Sequence, residues 1–169
     1  FAKSRVLIGA SIMIFMGLYL TSKINFLLFH SLAEVFSILV AFAIFIFFWN
    51  ARHFLDNTYY LFIGIAFAFV GGIDLLHTLA YSGMGVFAEG GSNLGAQLWI
   101  IARFLGASSF LIAPLLIKRK LIAWRVFTIY SVLLVLALAT IFYWQKFPVT
   151  FIDGVGLTPF KNISEFIIV

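Results

Sequence analysis

Two pairs of histidine and carboxylate residues lie within long apolar segments of the chain. His30 and Glu34 are four residues apart in the first pair, and Asp74 and His77 are three residues apart in the second. In an α-helix, both spacings place the two side chains on one face. Imidazole together with carboxylate is a ligand set for zinc, iron, copper or nickel. Ionisable groups in membrane segments are costly, and such groups indicate a functional site.

The composition identifies the segments around these pairs as membrane spans. The chain is 64% hydrophobic and 10% charged, whereas soluble domains are about 45–50% apolar and about 25% charged. A soluble fold could not bury this much apolar surface, so we expect a polytopic membrane protein. The net charge of +5 does not indicate a nucleic-acid partner, because the cations lie between apolar segments. The absence of cysteine excludes disulfides and thiolate metal sites.

Five apolar segments predict an all-α bundle of transmembrane helices. Each segment is close to the ~20 residues that cross a bilayer, and continuous apolar runs argue against strands. The predicted helices cover residues 6–21, 26–49, 59–81, 97–117 and 124–144. A sixth helix is predicted to begin near Asn162, and we expect the bundle to be truncated there. Residues 1–169 are interpreted as one membrane domain.

The distribution of cations predicts the orientation of the bundle. One side has seven cations and the other has three. The first set is Lys3, Arg5, Arg52, Lys118, Arg119, Lys120 and Arg125, and the second is Lys23, Lys146 and Lys161. Because lysine and arginine concentrate in cytoplasmic loops, we expect a multi-pass protein of the inner (cytoplasmic) cell membrane with a cytoplasmic N-terminus. Residues 82–96 and 145–161 would then form outer loops.

The ionisable residues are predicted to converge at one level of the membrane. A helical rise of ~1.5 Å places His30 and His77 roughly 10 Å outward of the midplane, and Glu34, Asp74 and Arg103 roughly 5–6 Å outward. The short link between the second and third helices predicts antiparallel neighbours. We therefore expect one outward-facing pocket between the second, third and fourth helices. Arg103 would be the charge partner of the carboxylates.

Three interpretations of this pocket remain open on the sequence alone. In the first, the ionic groups are structural and fix the register of the helices. In the second, the histidines and carboxylates bind a transition metal, or the two histidines are axial ligands of a haem. In the third, the pocket recognises a small ligand or a proton directly, since histidine changes charge near neutral pH. Asp153 and Thr158, in the second predicted outer loop, are candidate residues for capping the pocket.

Five ordered motifs carry the pocket residues and the outer loops. They are LFHSLAE (28–34), FVGGIDLLHTLAY (69–81), GMGVF (83–87), QLWIIAR (97–103) and GVGLTPFK (154–161). These motifs resemble MASE3, the third membrane-associated sensor domain family of bacteria and archaea. The similarity extends over essentially the whole chain, and the family pattern includes all five ionisable residues of the predicted pocket. The family has further C-terminal membrane helices, so the resemblance implies that this chain is a shortened version.

The resemblance implies a sensory input module rather than an enzyme. MASE3 domains stand at the N-termini of sensor histidine kinases, of diguanylate cyclases with GGDEF domains and of related signalling proteins. The full-length protein would then be a histidine kinase or a diguanylate cyclase, with a cytoplasmic output domain in the same chain and a homodimeric assembly. Neither the stimulus nor the cofactor follows from the resemblance.

A fragment of a small transporter or channel is the alternative function. The same histidines and carboxylates would then form an ion or proton relay. Transporters commonly contain internal repeats and broken helices at matching positions. The sequence has no evident internal repeat, which favours the sensory interpretation.

Overall fold

The computed structural model describes residues 2–55, 57–87 and 91–168, with side chains from residue 5 onward. These residues form an almost entirely helical fold, which confirms the all-α prediction. The six helices are α1 (Ala2–Ile24), α2 (Phe26–Ala51), α3 (Thr58–Ala80), α4 (Gly91–Ile112), α5 (Ala123–Phe142) and α6 (Pro159–Ile168). A 3-10 helix (Ala113–Leu116) continues α4. Two short antiparallel strands, β1 (Phe151–Ile152) and β2 (Gly156–Leu157), form a hairpin between α5 and α6.

Helices α1 to α5 are each long and apolar enough to cross a membrane, the fourth together with the 3-10 helix. Large apolar side chains are exposed along α1, α2 and α5, including Phe15, Phe36 and Val135. In a bilayer such side chains contact lipid, and helices satisfy their backbone polar groups internally. The chain is therefore a multi-pass membrane protein.

Helix α3 is the centre of the bundle and packs against α2, α4, α5 and the 3-10 helix. The Asn57 side chain caps its start by accepting a hydrogen bond from the Tyr59 amide at 2.8 Å. A Cβ added at Gly64 would lie 2.9 Å from Phe48, and one added at Gly71 would lie 3.0 Å from Ala41. The later glycine of α3 contacts the earlier residue of α2, so the two helices run antiparallel. The glycines allow their close approach.

Two clusters of buried residues occupy different halves of α3. The aromatic cluster includes Phe69 of α3 and Tyr130 of α5. The aliphatic cluster includes Ile73 of α3 and Leu98 of α4. The ionisable residues of α3 lie in the half that contains the aliphatic cluster, and this half positions the candidate site.

Three helix starts differ from the prediction by three residues or more, the first being α1, which begins at Ala2 rather than at position 6. Helix α4 begins at Gly91, six residues before position 97, so residues 91–96 are helical rather than part of a loop. Glycine, serine and asparagine lower the helix propensity of this stretch, but Leu94 and Gly95 are buried against α3. Tertiary packing therefore overrides the weak local preference. Helix α6 begins at Pro159 rather than near Asn162, because proline is favoured at the first helical position.

Candidate functional site

Helix α2 starts where its polar residues can face α3. The Asn25 side chain accepts a hydrogen bond from the Leu28 amide at 3.0 Å and caps the helix. His30 and Glu34 follow one turn apart on the same face of α2. His77 approaches them from the C-terminal end of α3, since α2 and α3 are antiparallel.

His30, Glu34 and His77 form one cluster, which we call the His–Glu cluster. One ligand atom from each of the three residues lies within 4.8 Å of the other two. The His77 Nε2 atom is 4.0 Å from the Glu34 carboxylate, and the two imidazole ring centres are 5.5 Å apart. The predicted convergence of the histidines with Glu34 is therefore present in the folded chain.

A hydrogen bond to α4 fixes the orientation of the His77 ring. Its Nδ1 atom lies 2.8 Å from the Gly95 carbonyl oxygen. A carbonyl oxygen can only accept a hydrogen bond, so Nδ1 carries the proton. In the neutral imidazole, Nε2 then presents its lone pair toward Glu34. Histidines that bind metals commonly donate the other ring N–H to a carbonyl or carboxylate in this way.

His30 has a buried nitrogen with no hydrogen-bond partner among the described residues. This atom is Nε2. The ring centre lies 3.9 Å from that of Tyr81, which restricts rotation of the imidazole. Buried polar atoms are almost always hydrogen-bonded. The unpaired nitrogen belongs to an imidazole of the His–Glu cluster, which suggests that the cluster receives a further group.

Asp74 and Arg103 form a separate ion pair. One guanidinium nitrogen of Arg103 donates to both carboxylate oxygens of Asp74, at 2.5 and 2.6 Å. Arg103 was predicted to neutralise both carboxylates, but it makes no salt bridge with Glu34. Helix α4, which carries Arg103, packs mainly against α3. Consequently Asp74 is neutralised, and Glu34 is left to the histidines.

A cavity of about 480 Å³ opens beside the His–Glu cluster. All three cluster residues line it. The other lining residues are Tyr81, Ser82, Ser92, Gly95, Ala96, Trp99, Phe151 and Lys161. Neither Asp74 nor Arg103 is among them. The predicted pocket is thus divided into a cavity with the His–Glu cluster and an adjacent ion pair.

Lys161 and Trp99 are cavity residues that the sequence analysis did not identify. Lys161 is only 5% exposed. Its ammonium nitrogen lies 3.4 Å from the centre of a Trp99 ring and 2.7 Å from a Glu165 carboxylate oxygen. Burial lowers the pKa of Lys161, and the Glu165 carboxylate opposes that change. The only local signal was the four-residue spacing of Lys161 and Glu165, which is common on exposed helices.

The segment between α5 and α6 is attached to α4 by side-chain amides. The Asn93 side-chain oxygen Oδ1 accepts hydrogen bonds from the backbone amides of Thr150 and Phe151, at 2.8 and 3.1 Å. The Gln97 amide donates to the Phe147 and Pro148 carbonyls, at 3.3 and 3.0 Å. These contacts hold Phe151 at the wall of the cavity.

The two candidate capping residues lie elsewhere. Asp153 is exposed in the hairpin turn and does not line the cavity. Thr158 is buried, and its hydroxyl accepts a hydrogen bond from the Lys161 amide at 3.3 Å and donates to the Val149 carbonyl at 2.8 Å. Thr158 therefore caps α6. The part of this segment that reaches the cavity is Phe151 and Lys161.

The arrangement can bind a cation between two helices. Two imidazole nitrogens and a carboxylate oxygen are borderline-to-hard ligands that suit zinc and related divalent ions. The neighbouring hydrogen bond from His77 to Gly95 fixes the tautomer that such binding needs.

The comparisons with known proteins agree with this membrane architecture. A family model described as a membrane-associated sensor domain, MASE3, matches residues 21–169. No curated protein and no solved structure gives a significant match. The matched region contains α2 to α6 and every residue of the His–Glu cluster. The chain belongs to the MASE3 family of membrane-associated sensor domains.

Proposed function

We propose that this sensor domain detects a divalent transition-metal ion held by His30, Glu34 and His77. The observation that carries the proposal is the approach of three ligand atoms to within 4.8 Å of one another. In a tetrahedral site with bonds of about 2.0–2.1 Å, ligand atoms lie roughly 3.4 Å apart. Movements of about 1–2 Å in flexible side chains would therefore close the cluster around an ion.

An ion fits the cluster better than a haem. Axial ligands lie on opposite faces of a haem, so two ligating imidazoles have ring centres roughly 6 Å apart with the macrocycle filling the space between them. The centres of His30 and His77 are 5.5 Å apart, and the rings are at 83°. Insertion of a macrocycle between them would require α2 and α3 to separate. The close packing of Gly71 against Ala41 opposes that separation.

Metal binding would favour one arrangement of the helices. Two ligands come from α2 and one from α3, so an ion would draw these helices together at one end. A ligand shifts a conformational equilibrium by its difference in affinity for the two states. The domain, residues 1–169, would pass this shift to a cytoplasmic histidine kinase or diguanylate cyclase in the same chain. We propose that the full-length protein is a homodimer in the inner membrane, with a cytoplasmic N-terminus.

The experiment is a titration of purified protein in detergent with Zn²⁺. The expected stoichiometry is one ion per chain. His30→Ala and His77→Ala should each weaken binding by at least about 100-fold, because loss of a residue that only orients a metal ligand already costs about 10–100-fold. His53→Ala is the matched control, since His53 is exposed in the turn after α2, and should bind as the wild type does. Unchanged affinity in both cluster variants would refute the proposed site.

A further inference from the structure

The cavity is much larger than the ion that the His–Glu cluster would hold. Its volume is about 480 Å³, whereas one water molecule occupies about 30 Å³ of liquid. Cavities that bind small organic molecules begin at about 300 Å³. Three protein ligands also leave a position open on a four-coordinate metal. The lining residues place this open position against a space that can hold a second ligand.

The wall of that space carries a buried cation. Lys161 and Trp99 line the same cavity as the cluster. Among the described residues, the Lys161 ammonium has one hydrogen-bond acceptor, Glu165. An ammonium group has three N–H donors, so one salt bridge leaves donors of this buried side chain facing the Trp99 ring or the cavity. A ligand that accepts hydrogen bonds would satisfy them.

The charges around the cavity favour an anion once a metal is bound. The carboxylates in and next to the cavity are Glu34, Asp74 and Glu165, and the cations are Arg103 and Lys161. Glu34 is counted as the anion that it would be as a metal ligand. With neutral histidines, three carboxylates and two cations leave one negative charge. A divalent ion would reverse the balance to one positive charge. Uncompensated charge is costly within a membrane protein, and a monoanion would remove it.

We infer that the cavity binds a small organic anion, of the carboxylate class, between the metal at the His–Glu cluster and the Lys161 ammonium. This inference rests on the proposed function, because the anion binds only to the metal-loaded form. One oxygen of the ligand fills the open coordination position, and another accepts a hydrogen bond from Lys161. Tyr81 and Phe151, which also line the cavity, provide apolar surface for the body of the ligand. The domain would then sense an anion and a metal together.

Acetate is the probe, and the Co²⁺-loaded full chain in detergent is the sample. The visible absorption of Co²⁺ reports changes in its coordination. Acetate should change the spectrum saturably, whereas acetamide, a neutral analogue, should not do so at the same concentrations. Lys161→Met should weaken acetate binding about tenfold or more, because a charge-assisted hydrogen bond is lost. Lys146→Met is the matched control, since Lys146 is exposed on the preceding segment, and should leave acetate affinity unchanged.

A second variant distinguishes loss of the Lys161 ammonium from misfolding of α6. Lys161→Met combined with Glu165→Gln removes the lysine without leaving its carboxylate partner charged. It should bind Co²⁺ and show the same loss of acetate affinity. Equal acetate affinity in the wild type and this variant, with Co²⁺ bound to both, would overturn the inference. A Co²⁺ spectrum that acetate does not change would also overturn the inference. Neither result would contradict the proposed metal site. Absence of Co²⁺ binding in the wild type would refute the proposed function as well.

Discussion

The two halves of α3 are buried alike but differ in chemistry. The N-terminal half, which contains the aromatic cluster, has an uninterrupted buried run from Leu61 to Ala66. The C-terminal half buries Asp74, His77 and Thr78 among the aliphatic residues. Burial of apolar side chains is stabilising without a partner, whereas burial of charged groups requires one. The first half therefore supports the fold, and the second depends on partners from other helices.

The two halves also differ in how fully their polar groups are paired. Tyr130 of the aromatic cluster and Ser109 of α4 form a hydrogen bond of 2.6 Å through their hydroxyls. Near the His–Glu cluster, the buried atoms His30 Nε2 and Arg103 Nε have no partner among the described residues. Stable folds rarely leave such groups unpaired. This difference supports the proposal that the region around Asp74 and His77 receives a ligand, and three substitutions test the contrast between the two halves.

The largest effect on stability is expected from Arg103→Ala. The substitution leaves the Asp74 carboxylate buried and unpaired, and breaking such a pair costs roughly 3–5 kcal/mol. We expect about 3 kcal/mol, the low end of that range, because the Arg103 side chain is 35% exposed. Equilibrium unfolding in detergent measures the free energy. Replacing Asp74 by Ala in the same chain should recover part of the loss. Wild-type stability in Arg103→Ala would contradict the statement that the C-terminal half of α3 depends on partners from other helices.

An intermediate effect is expected from Gly64→Ala in the N-terminal half. The added Cβ would lie 2.9 Å from the Cβ of Phe48, so α2 and α3 must move apart, at a cost of about 2 kcal/mol. Gly72→Ala is the matched control, because nothing lies within 4 Å of its added Cβ. The control should be at least as stable as the wild type in thermal unfolding, because alanine favours a helix more than glycine does. Equal melting temperatures for the two variants would contradict the packing described for α2 and α3.

The smallest effect is expected from Tyr130→Phe, which removes the hydrogen bond to Ser109. Net contributions of such bonds are about 1 kcal/mol. Tyr143→Phe should have no effect, because Tyr143 is 81% exposed. Zn²⁺ affinity should stay unchanged in both variants, since neither side chain lines the cavity. A loss of metal affinity in Tyr130→Phe would show that the two halves of α3 are energetically coupled rather than independent.

The sequence was sufficient to predict the bundle and much of the His–Glu cluster. Hydropathy located the five spans, and the spacing of His30 and Glu34 with the helical rise predicted their approach to His77. Lys161 was not predicted as a cavity residue, because its position depends on long-range contacts. Asn93 and Thr150 are 57 positions apart in the chain, and no local pattern indicates their pairing. The partner of Arg103 was only partly predicted, because depth alone does not distinguish Glu34 from Asp74.

The central claim is best tested by X-ray absorption spectroscopy of the Zn²⁺-loaded protein. We predict a first coordination sphere with two imidazole nitrogens and at least one carboxylate oxygen, at about 2.0–2.2 Å. His77→Ala should lose one imidazole contribution from that sphere. A sphere without histidine, or one that is identical in the wild type and His77→Ala, would contradict metal binding at the His–Glu cluster.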